Sequence, residues 1–262
     1  MIININIPVV STTCTAVAVY LFVKYRLYVK GYWKVALSIV GISFGAITVN
    51  FIIKTIFATD TTGDINRYAY DFLISARNVI LASVGLYLLK KSRLPSVPLY
   101  NWHVRHKELS HFSTKVVVFS VLFLTLYSVF LFRVTSARLN ITSQPIPSVI
   151  SLGVPQFFAF LFVNLAVVIR EEIMYRLCLQ TLVTYWLREY RWAWTLAVLI
   201  STLLWSMGHF GIVLPEWAKF VQVFVVGILL GVVMHKQGFE SCILIHLGLN
   251  LSMMFSEEMH FF

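Results

Sequence analysis

Four ionisable residues fall within seven positions of an apolar stretch: Arg170, Glu171, Glu172 and Arg176, inside the run from Leu152 to Leu187. Each such residue costs about 2.5–3.5 kcal/mol at the centre of a membrane helix on insertion scales, so a cluster of them points to function. In Glu171-Glu172-Ile173-Met174-Tyr175-Arg176 the helical repeat places Glu172 and Arg176 four apart on one face, where they can pair. Glu171 is turned about 100° away, leaving its carboxylate to face a cavity. One carboxylate is then held as a structural ion pair and the other is available as a base. The competing reading is that both glutamates only bind arginines inside a helix bundle.

Two further motifs follow. In Trp205-Ser206-Met207-Gly208-His209-Phe210, Trp205 and His209 are four apart, and in His246-Leu247-Gly248-Leu249-Asn250 so are His246 and Asn250. Of the seven histidines, His209 and His246 are the two in apolar helices. Polar residues that join membrane helices by hydrogen bonds are the plainer explanation for each one alone. Together the motifs supply a carboxylate, an imidazole, and an imidazole with a carboxamide on three helices. That set suits hydrolysis of an amide without a nucleophilic side chain. A glutamate and a histidine would orient and deprotonate a water. His246 and Asn250 would donate to the oxyanion of the tetrahedral intermediate, worth about 3–4 kcal/mol for one such donor.

The elements that must position these groups are membrane helices. Hydrophobic residues make up 59% of the 262 positions and charged residues only 12%, against about 25% charged in soluble domains. Mean hydropathy is +0.81. The composition and the runs of apolar residues predict an all-α fold, a polytopic transmembrane bundle of about eight helices, forming a single membrane domain over 1–262. Helices are expected near 5–23, 35–58, 72–89, 116–132, 152–187, 192–213, 218–235 and 241–256, each able to cross about 30 Å of hydrocarbon with about 20 residues. The fifth is too long for one straight span, so it is expected to tilt strongly or to break near Pro155. Met1–Pro8 lacks a basic n-region, which favours a retained first helix over a signal peptide. Cys14, Cys178 and Cys242 lie far apart in apolar segments, a spacing that fits buried reduced thiols rather than a disulfide framework or zinc ribbon.

The net charge is +10, yet the basic residues form no nucleic-acid stripe. They gather in alternate loops. Those after the first, third, fifth and seventh helices carry thirteen Lys or Arg: Lys24, Arg26, Lys30, Lys34, Lys90, Lys91, Arg93, Arg105, Lys107, Lys115, Arg188, Arg191 and Lys236. The other loops carry four: Arg67, Arg133, Arg138 and Lys219. The positive-inside rule assigns the first set to the cytoplasm and both termini to the far side. Loop 90–115 also holds His103, His106 and His111, read as solvated rather than as ligands. Because the fifth helix runs inward to Arg188, the site is expected to open toward the cytoplasm, through a cavity between helices 5, 6 and 8.

In order and spacing the three motifs resemble the CAAX protease and bacteriocin-processing (CPBP/Abi) family of intramembrane glutamic endopeptidases. That family's pattern is Glu-Glu-x-x-x-Arg, Phe-x-x-x-His and His-x-x-x-Asn on successive helices of an eight-helix bundle. The resemblance covers residues 150–256, which would be the catalytic helices. It implies an endopeptidase in which Glu171 with His209 activates water, His246 and Asn250 form the oxyanion site, and Glu172 and Arg176 brace the first helix. Trp205 stands where phenylalanine is usual, keeping an aromatic pocket wall, and Leu177 stands where a glycine is common.

The resemblance also implies a peptide or protein substrate, lipidated or otherwise membrane-anchored, and the bilayer as partner, with no nucleic acid. The chain is expected to be a multi-pass integral protein of a bacterial plasma membrane rather than of the endoplasmic reticulum. No cofactor is expected. The metal alternative would use Glu171, His209 and His246 as zinc ligands with water in the fourth position. Other classes are a proton-coupled transporter using Glu171, Glu172 and Arg176 as a relay, and a non-catalytic scaffold or bacteriocin-immunity protein with the same fold.

Overall fold

A computed structural model describes residues 6–57, 62–92, 113–135, 138–139, 154–210 and 213–258. Among these residues the architecture is all-α, with eight long helices and one antiparallel pair of two-residue strands. The helices are α1 (Asn6–Lys24), α2 (Trp33–Phe57), α3 (Thr62–Lys91), α4 (Thr114–Val134), α5 (Val154–Glu172), α6 (Ala193–Met207), α7 (Glu216–Gln237) and α8 (Phe239–Glu258). Short helical pieces, Arg26–Val29 and Lys30–Tyr32, link α1 to α2. The strands β1 (Arg138–Leu139) and β2 (Val213–Leu214) pair Arg138 with Leu214 and Leu139 with Val213. His103, His106, His111 and Asp60 lie outside the described residues, as does the side chain of Cys14.

The predicted all-helical bundle of about eight helices is what forms. Arg26–Ile53, Tyr68–Lys91, Thr114–Val134 and Glu216–Gln237 are long and apolar enough to cross a membrane. Thr15–Lys24, Ala193–Met207 and Phe239–Met253 are apolar but shorter. The lipid-facing character is plain on α4, where Phe119, Leu122, Leu126 and Phe130 are all exposed. α3 begins ten residues before the apolar run at 72. Its first turns carry Asp64, Asn66 and Arg67, which a hydropathy reading leaves out of a span although nothing bars them from a helix.

The fifth helix corrects one expectation. Pro155 does not break it. The residue sits in the first turn of α5, where a missing N–H costs nothing because that group has no intrahelical acceptor. The irregularity lies further on: α5 runs into a π-helical segment, Ile173–Gln180, and then into an α-helical end, Thr181–Trp186. π-helical turns inside α-helices occur frequently at functional sites. Here the segment begins directly after the two glutamates.

Side-chain contacts fix how the helices run. A Cβ on Gly227 would meet Thr202 and Arg176, and one on Gly231 would meet Val198 and Gln180. So α7 is antiparallel to α6 and parallel to the α5 extension. The two glycines form a small-xxx-small pair that lets these helices approach closely. Thr125 Oγ1 and Ser252 Oγ lie 2.6 Å apart, and a Cβ on Gly248 would meet Val121, so α4 and α8 are parallel. α7 turns into α8 at Gly238, whose φ of 94° is the left-handed conformation that favours glycine.

The bundle therefore has two ends. The α1–α2, α3–α4, α5–α6 and α7–α8 connections share one, and ten of the thirteen basic residues lie there among the described residues. The α4–α5 and α6–α7 connections lie at the other, tied together by β1 and β2.

Candidate active site

α5, α6 and α8 bring the three motifs to one place. Glu171, Trp205, His209, His246 and Asn250 all line one cavity of about 300 Å³. Two more helices contribute than expected: Phe132 from α4, and Lys219, Gln222, Val223 and Val226 from α7. Lys219 counted as a loop residue in the sequence, but it lies one turn inside α7, where its Nζ donates to Gln222 Oε1 at 2.7 Å. Asn164, seven residues before Glu171 and on the same helix face, also lines the cavity. That spacing was a readable signal.

The two glutamates part as expected, but their partners differ. Glu171 is partly buried and accepts a hydrogen bond from Trp205 Nε1 at 2.8 Å. Glu172 is 1% exposed and lies 3.6 Å from Arg176 Nε, the i,i+4 pair foreseen from the spacing. Its Oε1 also lies 2.8 Å from His246 Nδ1. A carboxylate can only accept from a ring N–H, so Nδ1 of His246 carries a proton. Arg176, wholly buried, donates from Nη1 to Ser201 Oγ at 3.2 Å and Thr202 Oγ1 at 3.3 Å. A continuous polar chain thus runs from His246 through Glu172 and Arg176 to α6.

His209 departs from the expected placement deep in a helix. α6 ends at Met207. The Gly208 N–H bonds to the Leu204 and Trp205 carbonyls, and the His209 N–H to Ser206 O at 3.0 Å. The chain therefore tightens and leaves the helix through a turn at 208–210. An apolar run that continues through Gly208-His209-Phe210 conceals this in the sequence. His209 stays on its motif partner by another route: its Nδ1 lies 2.9 Å from the Trp205 carbonyl oxygen. That carbonyl can only accept, so Nδ1 donates and the neutral ring keeps the Nε2 lone pair for a proton.

Trp205 is the hub of the site. Its ring packs edge-on against His209 at 5.4 Å and His246 at 5.2 Å, and the Arg176 guanidinium carbon lies 5.1 Å from its centroid. Its indole N–H holds Glu171, a bond that phenylalanine cannot make. Its part is thus larger than the pocket wall expected from the sequence.

Among the described residues, no three of His, Cys, Asp and Glu come together as a set that could hold a metal ion. Glu171 meets its partner through one oxygen, and His209 and His246 meet theirs through Nδ1. Cys178 and Cys242 are buried and are not disulfide-bonded. Arg170, which opens the charged cluster, pairs outside the cavity with Asp71 of α3 at 2.8 Å.

The cavity's position along the helices overturns the expected opening. From Glu171 and His246 it extends toward Phe132, Phe160, Val213, Lys219 and Met253. These lie near the end of α4, in the early turns of α5, on β2, at the start of α7 and late in α8. All belong to the end of the bundle away from the ten described basic residues. The expectation failed because it took the direction of the fifth helix as the direction of access.

Fold and site together define a polytopic helical membrane protein with a carboxylate–imidazole cavity inside its bundle. Residues 153–252 match the family model described as "Rce1-like: Type II CAAX prenyl endopeptidase Rce1-like". The resemblance carried by the three motifs is thereby borne out over the segment from α5 to α8. No curated protein and no solved structure matches the chain.

Proposed function

We propose that the chain is an intramembrane endopeptidase that hydrolyses a peptide bond of a membrane-associated protein or peptide. The observation that carries this reading is the convergence of Glu171, His209, His246 and Asn250 on one cavity, in the segment that matches a protease family. Glu171, steadied by the Trp205 N–H, takes a proton from a water that His209 orients through Nε2. His246 and Asn250 donate to the developing oxyanion. With its Nδ1 proton committed to Glu172, His246 can donate from Nε2 only as the imidazolium. The Glu172 carboxylate is the counter-ion that such a state needs. Glu172 thus acts on the oxyanion site as well as on Arg176, a larger part than bracing a helix.

The proposed substrate is a lipidated or otherwise membrane-anchored chain, the proposed membrane a bacterial plasma membrane, and the proposed mechanism metal-free. The test is a cleavage assay of the purified protein against membrane-anchored peptides, with Glu171→Ala as control and metal analysis of the same sample. Cleavage lost in the control, with no stoichiometric metal, is the expected result. Full activity in Glu171→Ala would end the glutamate-base mechanism, and activity that tracks a bound metal would replace it with a metallopeptidase.

A further inference from the structure

The compartment from which substrate reaches Glu171 follows from two independent observations: where the charges lie, and which side of the site is closed. Toward the basic end, the helices that carry the motifs close over the site. Arg176, Leu177, Thr202, Leu230, Cys242 and Ile245 are all 0% exposed, and they fill the space between α5, α6, α7 and α8 one to two turns beyond the glutamates. No peptide passes through such packing. On the other side the lining is not fully buried: Phe160, Lys219 and Met253, all partly exposed, line the cavity.

Helix length agrees. α6 has fifteen residues, about 22 Å at 1.5 Å per residue, short of about 30 Å of hydrocarbon. It starts at the basic end, where exposed Tyr190 and Trp192 stack at 5.0 Å between rings. Such aromatic residues sit at headgroup level. Its far end, with the turn at 208–210, therefore stops inside the membrane. Irregular backbone at that depth is tolerated where it is buried or lines a water-filled space, and His209 of this turn does line the cavity. Thirteen basic residues against four assign the closed end to the cytoplasm.

We infer that the cavity opens on the non-cytoplasmic side of the membrane. Its substrate is a peptide segment presented there: an exported peptide, or the outer flank of a membrane-anchored protein. The substrate half of this rests on the peptidase reading; the orientation does not.

Single cysteines test it in the full chain carrying Cys14→Ala, since Cys178 and Cys242 are buried. Met253→Cys and Phe160→Cys report two separate points of the cavity wall, and Tyr190→Cys reports the basic end. The probe is a membrane-impermeant maleimide applied to bacterial spheroplasts before and after permeabilisation. The expected result is labelling of both cavity cysteines before permeabilisation and of Tyr190→Cys only after it. The reverse pattern overturns the inference. Cavity cysteines that label from neither side, while Tyr190→Cys labels, overturn it too, because the cavity would then be closed to water. In a second arm, a peptide reporter is supplied to spheroplasts and to inverted vesicles. Glu171-dependent cleavage is expected in spheroplasts, and cleavage confined to inverted vesicles overturns the inference. Expected labelling without cleavage in either preparation upholds the orientation and ends the peptidase reading.

Discussion

Glu171 and Glu172 are adjacent in the chain yet meet different partners. Trp205 Nε1 holds the first at 2.8 Å, while His246 Nδ1 at 2.8 Å and Arg176 Nε at 3.6 Å flank the second. Substitutions at the two positions should therefore fail in different ways. Glu171→Gln keeps an oxygen for the Trp205 N–H and removes only the proposed base. Its kcat on a peptide reporter should fall by on the order of 10²–10⁴-fold, with the thermal midpoint in detergent unchanged. Retained turnover would remove Glu171 from the chemistry. Glu171→Ala would add a buried, unsatisfied indole N–H at a cost of about 1–3 kcal/mol, so the glutamine variant is the cleaner probe. Arg176→Ala acts on the neighbour: it takes away the cation beside buried Glu172 and leaves Ser201 and Thr202 without their donor. Breaking a buried pair costs about 3–5 kcal/mol, and here the low end applies because His246 still faces Glu172. A lowered melting temperature together with lost activity is expected. An inactive variant as stable as the parent would instead mean that Arg176 acts on substrate.

Among the elements, the α5 extension depends most on close backbone approach. A Cβ on Gly85 of α3 would strike the Leu177 carbonyl group, which belongs to the π-helical segment. A Cβ on Gly227 would strike mainly the Thr202 side chain, 2.6 Å from Cγ2. A side chain can rotate away and a backbone carbonyl cannot. Gly227→Ala should therefore cost about 1–3 kcal/mol, the usual range for overpacking, and Gly85→Ala more. Melting curves of the two variants would check the order, and a Gly85→Ala chain as stable as the parent would contradict this packing.

What the sequence revealed of these elements follows the same division. Apolar runs mark the eight helices, and the i,i+4 spacing marks the Glu172–Arg176 pair. The π-helical turns leave no trace in hydropathy. Neither does the end of α6, because Gly208, His209 and Phe210 prolong an apolar run while the backbone is already turning. That one misplaced boundary put His209 within a helix. The partners of Trp205 Nε1 and His246 Nδ1 depend on tertiary contact across 34 and 74 positions of chain, beyond any local spacing rule.

Across the whole molecule, the family match covers residues 153–252, yet the first helices reach α5, which carries Glu171. Ser43 Oγ of α2 donates to the Ala166 carbonyl at 3.2 Å, and Asp71 of α3 binds Arg170 at 2.8 Å. In a bilayer the apolar faces of α5 could turn to lipid at little cost, since lipid tails are as apolar as leucine. Arg170 could not. Without Asp71 it would stand unpaired beside Glu171, and insertion scales put such a residue at about 2.5–3.5 kcal/mol near a helix centre. A chain reduced to residues 113–262 keeps every motif and loses this partner. It should enter membranes in lower yield, elute from size exclusion in detergent as a broad or aggregated species, and show no cleavage. Asp71→Asn in the full chain should show a milder form of the same defect, a lowered thermal midpoint with all eight helices present. A sharp, thermostable and active 113–262 fragment would mean that α4 to α8 form the site unaided, and that the first three helices serve some purpose other than bracing α5.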